Sequence, residues 1–461
     1  MEPIYALAIL VILGLSTAVW TTAGLIRYLA GTPRRLRRRS GAVGHRTESG
    51  HDGGAPASSP PLPSDVAVLV AAHNEELVIA ETIRSAARLV KPHQIYVASD
   101  GSSDRTAEIV RSMGANVVEL FPNRGKAGAL VAAIGHFRLE ERYKAVMLLD
   151  ADTQLAADYL ETALPMLADE DVVAVAGRAS TLADPAPSTW LGRVLVGYRE
   201  RLYIAVQYLH KYGQAARHVN VVMIVPGFAS LYRTRVLRHI DIAAKGLAIE
   251  DFNMTFEVHA KKLGRIAFHP HAAIAYTQDP DNLVDYAKQV QRWALGFWQT
   301  LRRHGVLHRG LFWPVVGFYA VELVLSSIVM LLMLPVLIMS TTALLVSEAV
   351  VVQDQSWLWL TGVLPVTVVV FGVLLPDYLL TVIAAVITRR PHYLLLGIVF
   401  PLVRVLDAFL CLKAFARAFG PHSKTNGAWA SPSRRPAALD DANAEDDAVA
   451  DGRRPAALGA G

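Results

Sequence analysis

The chain has 461 residues, 53% of them hydrophobic and only 18% charged, with a formal net charge of +5. That length allows about two to four domains, and a positive mean hydropathy sets the chain apart from a typical soluble enzyme. One cysteine, Cys411 in a C-terminal apolar run, excludes an intramolecular disulfide and a zinc cluster built on cysteines. The positive charge does not point to nucleic acid. Arg34, Arg35, Arg37, Arg38 and Arg39 crowd into PRRLRRR directly behind the first apolar run, where the positive-inside rule and anionic lipid favour basic residues.

In chain order, residues 1–30 read as an uncleaved transmembrane anchor, apolar from Ile4 to Ala30 apart from Arg27, with its N-terminus outside. Residues 31–64 hold the arginine cluster and then a Gly-, Ser-, Pro-, His- and Ala-rich flexible linker. From Asp65 to about 305, apolar strands alternate with helix-like segments. VAVLVAAHNEE, QIYVASDG, NVVEL, AVMLLDADT and VVAVAGRAS read as strands, and NRGKAGALVAAIGHF opens a helix. This alternation predicts an α/β domain with a mostly parallel sheet and helices on both faces. Such sheets bind ligands beyond the carboxyl ends of their strands, and those ends carry His73, Asn74 and Glu75, then Asp100, then Asp150 and Asp152. Residues 306–420 contain three apolar blocks, 311–346, 357–387 and 393–419. The first two read as spanning helices; the third carries Arg404, Asp407, Lys413 and Arg417, and either spans or lies in the interface. The tail, 421–461, reads as disordered.

Several short stretches combine residue types that suit chemistry. In SDGSSD, a carboxylate at a strand end, Asp100, can accept hydrogen bonds from a base or ribose; a helix cap after a tight turn is the plainer alternative. In LLDADT, Asp150 and Asp152 lie two apart, share a face of an extended chain and can converge on one hard divalent cation. Lys126, in NRGKA, can meet a phosphate as a point charge or simply sit at the surface. Glu250 and Asp251 precede a helical pattern, so they are either helix-start acids or a general base for a sugar hydroxyl. In QVQRWALGFWQT, helical spacing brings Gln289, Arg292, Trp293 and Gly296 to one face. A tryptophan face suits a sugar ring and arginine a pyrophosphate, while an interfacial amphipathic helix explains the same pattern.

Together, SDGSSD, NRGKA, LLDADT, IED and QVQRW, in this order and ahead of apolar blocks, resemble the membrane-integrated processive branch of the family 2 glycosyltransferases. That branch includes poly-N-acetylglucosamine, hyaluronan, chitin and cellulose synthases. The likeness spans roughly Asp65 to Arg303. It implies a GT-A, Rossmann-like cytoplasmic domain and inverting transfer from a UDP-sugar, with Mg²⁺ or Mn²⁺ neutralising the leaving diphosphate. The implied catalytic base is Asp251. Donor contacts would be Asp100, Lys126, Asp150, Gln289 and Arg292, the metal ligands Asp152 and Asp150, and the acceptor contacts Trp293, Glu250 and, from PGFASLYR, Gly227. The implied partners are a UDP-sugar (UDP-N-acetylglucosamine from the likeness around YTQDPDNLVDY), a growing β-linked glycan, the lipid bilayer and a small accessory membrane protein. The implied location is the plasma membrane, multi-pass, with the product moved across it. A non-processive transferase acting on a lipid-linked acceptor, and an inactive transferase-fold scaffold or sensor, are the competing readings.

Three positions depart from the branch: Ile249 stands where Thr is usual, Val290 where many members carry Gln or Arg, and one N-terminal anchor where many relatives have two. Glu322, Asp377, Arg404 and Asp407 lie in apolar runs, where ionisable groups face a bundle interior or a wet path. Trp429, in GAWASPSR, resembles a C-terminal tryptophan segment of such synthases.

Overall fold

A computed structural model describes residues 14–40, 59–349, 373–420 and Arg435. The expectations for residues 1–13, for the linker 41–58, for the first part of the second apolar block and for the tail with Trp429 fall outside the described residues.

The ten strands are β1 (Val66–Ala72), β2 (Ile95–Asp100), β3 (Asn116–Leu120), β4 (Ala145–Asp150), β5 (Thr153–Leu155), β6 (Val172–Val175), β7 (Arg178–Thr181), β8 (Ala229–Arg233), β9 (Arg265–Ala267) and β10 (Ile274–Thr277). The α-helices of at least seven residues are α1 (Leu15–Ser40), α2 (Ile79–Ala87), α3 (Thr106–Ser112), α4 (Gly125–His136), α5 (Trp190–Ile204), α6 (Asp251–Ala260), α7 (Leu283–His304), α8 (Phe312–Ala349), α9 (Leu375–Thr388) and α10 (Phe400–Phe419). A π-helical segment, Ala205–Lys211, continues α5.

Every residue of β1 is buried, as an unbroken apolar run at the centre of a two-sided sheet requires. Val66, Val68 and Val70 pack with Ile79 and Ile83 of α2. Ala67, Leu69 and Ala71 pack with Ala129, Leu130 and Ala133 of α4 on the opposite face. The two-residue period of a strand thus divides one run between two cores. The large sheet runs β3-β2-β1-β4-β8-β6-β9. Strands β3, β2, β1 and β4 are parallel, and β8 is antiparallel to both β4 and β6. A small sheet, β5-β10-β7, stands beside it.

The structure departs from the sequence reading in one instructive place. VVAVAGRAS forms two strands in two sheets, with β6 in the large one and β7 in the small one. The break falls at Gly177, where a Cβ would lie 1.7 Å from the Ala229 carbonyl oxygen. The short strands β5, β8, β9 and β10 carry too few residues for periodicity to announce them.

A third apolar cluster joins α7 to the C-terminal helices: Phe297, Trp298 and Leu301 meet Phe312, Trp313, Val316, Ala414 and Trp20. Within α8, Phe312–Met339 has a mean hydropathy of 2.5. Its outward positions Phe318, Val321, Leu325 and Leu332 are exposed. Among the described residues it is the one helix long and apolar enough to cross a bilayer; Leu375–Thr388 is apolar but shorter.

Candidate active site

Parallel pairing places the carboxyl ends of β1, β2 and β4 side by side, with Ala71 opposite Asp150 and Val70 opposite Val97. A cavity of about 1030 Å³ opens there, lined among others by Glu75, Lys126, Asp150, Asp152, Glu250 and Asp251. Lys126, the second residue of α4, bridges two acids: its Nζ lies 2.8 Å from Asp150 Oδ1 and 2.9 Å from Glu250 Oε1. Burial works against its ammonium, but Asp150, Glu250 and Asp251 outweigh burial and hold its pKa well above the usual lysine value. Lys126 is therefore not a surface lysine, and Glu250, at the N-cap position of α6, turns its carboxylate to Lys126 instead. Glu250 makes no capping hydrogen bond through its side chain, and Lys126 draws its pKa below the usual range despite burial.

Asp251 opens α6, and its Oδ1 is buried without a hydrogen-bond partner. Burial, and then the charge of Glu250, push its pKa up to about 7 against the pull of Lys126. A carboxylate poised near neutrality and bordering a cavity suits a general base. Gly227 permits this approach: a Cβ there would sit 2.3 Å from Asp251 Oδ1 and 3.1 Å from Lys126 Nζ. Gly227 itself is not on the cavity wall, although Pro226 and Phe228 are.

Asp100 is also off the wall. It is fully buried, and its Oδ1 accepts the backbone N–H of Arg124 at 2.8 Å. Its carbonyl receives His73 at 2.6 Å and Asn123 at 3.0 Å, while Oδ2 has no partner. Burial raises its pKa, opposed by the backbone N–H groups of Arg124 and Gly125. Capping of α3 falls instead to Asp104, which accepts from the Thr106 N–H at 3.0 Å.

Asp150 and Asp152 both border the cavity, and the Thr153 hydroxyl donates to Asp152 Oδ1 at 3.3 Å. Among the described residues no group of three or more His, Cys, Asp or Glu side chains surrounds one point. Two hard carboxylates of this kind fit a Mg²⁺ or Mn²⁺ ion that completes its shell with phosphate oxygens and water.

The opposite wall comes from α7, whose start is capped by Asn282 accepting the Asp285 N–H at 2.9 Å. Gln289, Arg292 and Trp293 all border the cavity. Gly296 turns elsewhere: a Cβ on it would lie 2.3 Å from Ile249 Cγ1, so Ile249 fills the space a glycine leaves. Val290 packs with Val194, Tyr198 and Phe400, away from the cavity. The unforeseen residue is Arg199 of α5, 1% exposed. It donates to Gln289 Oε1 at 2.8 Å and lies 4.4 Å from the Trp293 ring centroid. Asp279 faces it at 3.6 Å and accepts from the Tyr203 hydroxyl at 2.8 Å. Burial lifts the Asp279 pKa to about 7, against the pull of Arg199. Nothing in YRERLY distinguishes Arg199 until Gln289 is seen beside it.

The cavity continues past α7 to Glu322, Asp377 and Arg404. Asp377 accepts Arg201 at 2.6 Å and Arg404 at 3.0 Å. Asp407 accepts from the Tyr286 hydroxyl at 2.9 Å. Of these apolar-run charges Asp377 and Arg404 are ion-paired, while Asp407 and Glu322 accept hydrogen bonds from the Tyr286 hydroxyl and the Ser16 N–H; Glu322, Asp377 and Arg404 also line the cavity.

The profile of the family described as glycosyltransferase like family 2 matches residues 63–296. A poly-beta-1,6-N-acetyl-D-glucosamine synthase of Staphylococcus epidermidis is 26% identical over 262 residues, 54% of this chain and 57% of that protein. A probable glycosyltransferase of Bacillus subtilis, YdaM, is 29% identical over 50% of this chain and 54% of its own. The match therefore spans a little over half the length of these relatives. Among solved structures, a Pyrobaculum calidifontis mannosyltransferase in complex with GDP-Man and Mn²⁺ is 17% identical, with a TM-score of 0.48, over 87% of this chain and 98% of its own. The matched segment takes in β1 through most of α7, and with it all the carboxylates gathered around Lys126. Half of the chain thus carries the family's sequence, and the protein belongs to glycosyltransferase-like family 2.

Proposed function

We infer that the protein is a processive, inverting glycosyltransferase that extends a β-linked glycan from a UDP-sugar at the cytoplasmic face of a membrane. The observation that carries this reading is one continuous cavity. It joins Asp150, Asp152, Lys126 and Asp251 to the tryptophan helix and to paired charges on helices of apolar sequence. A single-sugar transferase has no use for a polar path leading from its base into such helices. The printed names of the staphylococcal relatives favour UDP-N-acetylglucosamine as donor and a poly-N-acetylglucosamine product. The reading includes multi-pass insertion in the plasma membrane, with α8 as one span and the product passing along the cavity.

In this mechanism Asp251, ionised, takes the proton of the acceptor hydroxyl as its oxygen attacks the anomeric carbon. The bond from that carbon to UDP breaks, UDP departs with the electron pair, and the anomeric configuration inverts. Asp100 is buried off the cavity wall, and its unpartnered Oδ2 is the atom that would accept a hydrogen bond from the uridine; Lys126, Gln289 and Arg292 contact the diphosphate. Trp293 and Glu250 position the acceptor sugar, and Gly227 leaves room for Asp251 and Lys126 beside it. Asp150 and Asp152 would hold a Mg²⁺ or Mn²⁺ ion, whose charge stabilises the departing diphosphate.

The test uses the full chain in nanodiscs with Mg²⁺ or Mn²⁺, offered several UDP-sugars in turn, with UDP release followed and products sized. A long polymer from one donor supports the reading and names the sugar. A product of one added sugar, or no turnover with any donor, overturns it.

A further inference from the structure

The π-helical segment Ala205–Lys211 lines the cavity along most of its length, with Ala205, Val206, Gln207, Leu209, His210 and Lys211 all on the wall. π-Helical turns are rare and recur at functional sites. This one is anchored at both ends. Gln207 exchanges hydrogen bonds with both backbone groups of Ala179, at 2.7 and 2.9 Å, and His210 bonds Thr17 at 3.0 Å.

Lys211 ends the segment, only 5% exposed. It contrasts with Lys126, whose ammonium already contacts two carboxylates. Among the described residues no carboxylate lies within ion-pair distance of Lys211. Its Nζ lies 5.3 Å from the centroid of the Phe268 ring. Burial lowers its pKa to about 8, and the nearby charge of Asp251 opposes this, so it is a cation at neutral pH. A buried ammonium is costly until its donors meet oxygens, and an oxygen ligand in the cavity supplies them. The segment's own contacts run to Thr17 of α1, whose neighbour Ser16 donates its N–H to Glu322. Lys211 thus lies on the cavity wall within the field of Asp251, next to His210, which reaches α1.

We propose that Lys211 is an acceptor-binding residue, its ammonium donating hydrogen bonds to oxygens of the terminal sugar of the glycan beside Asp251. This rests on the polymerase reading above. An ammonium has donors only, so its ligand atoms are hydroxyl, ring or carbonyl oxygens.

The test measures transfer to added oligosaccharides of the product sugar by wild type, Lys211→Met and Lys211→Arg, alongside UDP affinity by calorimetry. Lys211→Met should raise the acceptor KM roughly ten- to hundredfold, the range for a lost charged hydrogen bond. Its UDP affinity should match wild type, and Lys211→Arg should recover most of the acceptor affinity. An unchanged acceptor KM in Lys211→Met overturns the proposal. So does an equal loss of UDP affinity, which makes Lys211 a diphosphate contact, or loss of UDP binding in both variants, which makes it structural. Failure of wild type to extend any oligosaccharide sinks the polymerase reading itself, a separate outcome.

Discussion

The two walls of the cavity are made differently. On the strand side, Asp150, Glu75 and Lys126 are placed by backbone: parallel strands end together, and each side chain follows from its position at a strand end or helix start. On the α7 side, Gln289 and Trp293 are held by side chains from far away in sequence. Arg199 lies 90 residues before Gln289, and Tyr203 lies 76 before Asp279. The first wall is as rigid as the sheet, whereas the second depends on a few buried polar contacts. On the proposed reading, the proton transfer and diphosphate contacts fall to the former, and the grip on the acceptor sugar to the latter.

The largest effect should come from Asp251, the proposed base, which belongs to the charge cluster around Lys126. Asp251→Asn should lower turnover by roughly 10²–10⁴-fold while UDP still binds in calorimetry; turnover near wild type would remove Asp251 from the mechanism. Because the Asp251 pKa is pushed up to about 7 and the base must be ionised, kcat/KM should climb as pH rises through about 7. A profile flat from pH 5 to 8 would contradict that assignment.

Next, Asp152→Ala should abolish the Mn²⁺ dependence of UDP binding and leave the melting temperature near wild type, since Asp152 is not part of either core. An unaltered Mn²⁺ titration would place the ion elsewhere. On the other wall, Arg199→Met strips the cation from buried Asp279 and the donor from Gln289. Breaking a buried pair costs about 3–5 kcal/mol, so the melting temperature should fall together with elongation. Loss of elongation without loss of stability would show that Arg199 touches substrate. The smallest effect is at Gly296: alanine there drives a Cβ into Ile249, an overpacking cost of about 1–3 kcal/mol. Gly296→Ala combined with Ile249→Ala, which removes the Cγ1 that the new Cβ meets, should cost less than the two single changes added together; strict additivity would mean the two do not share the space.

Legibility in the sequence follows the same division. The strand-side wall could be read because β1, β2 and β4 are continuous apolar runs ending in acids, and a backbone-placed site leaves its trace locally. The helical face of Gln289, Arg292 and Trp293 was legible from spacing alone. Gly296 was assigned to that face but serves packing, and Val290, which stands where many members of the branch carry Gln or Arg, packs against an apolar cluster. Arg199, Asp279 and Lys211 left no local signal, since a buried charge looks like a surface charge until its neighbours are known. The division of VVAVAGRAS between two sheets was hidden for a similar reason: the obstacle is the carbonyl of Ala229, some fifty residues on.

One contact at the edge of the cavity bears on how the chain is made. The carboxylate of Glu322 receives the Ser16 N–H at 3.1 Å, across a separation of 306 residues. At the general synthesis rate of about 5–20 residues per second, that acceptor emerges roughly 15–60 s after the donor. For that interval the exposed turn of the N-terminal helix has to be satisfied by water, lipid headgroups or the insertion machinery. A chain truncated before Glu322 never closes the contact.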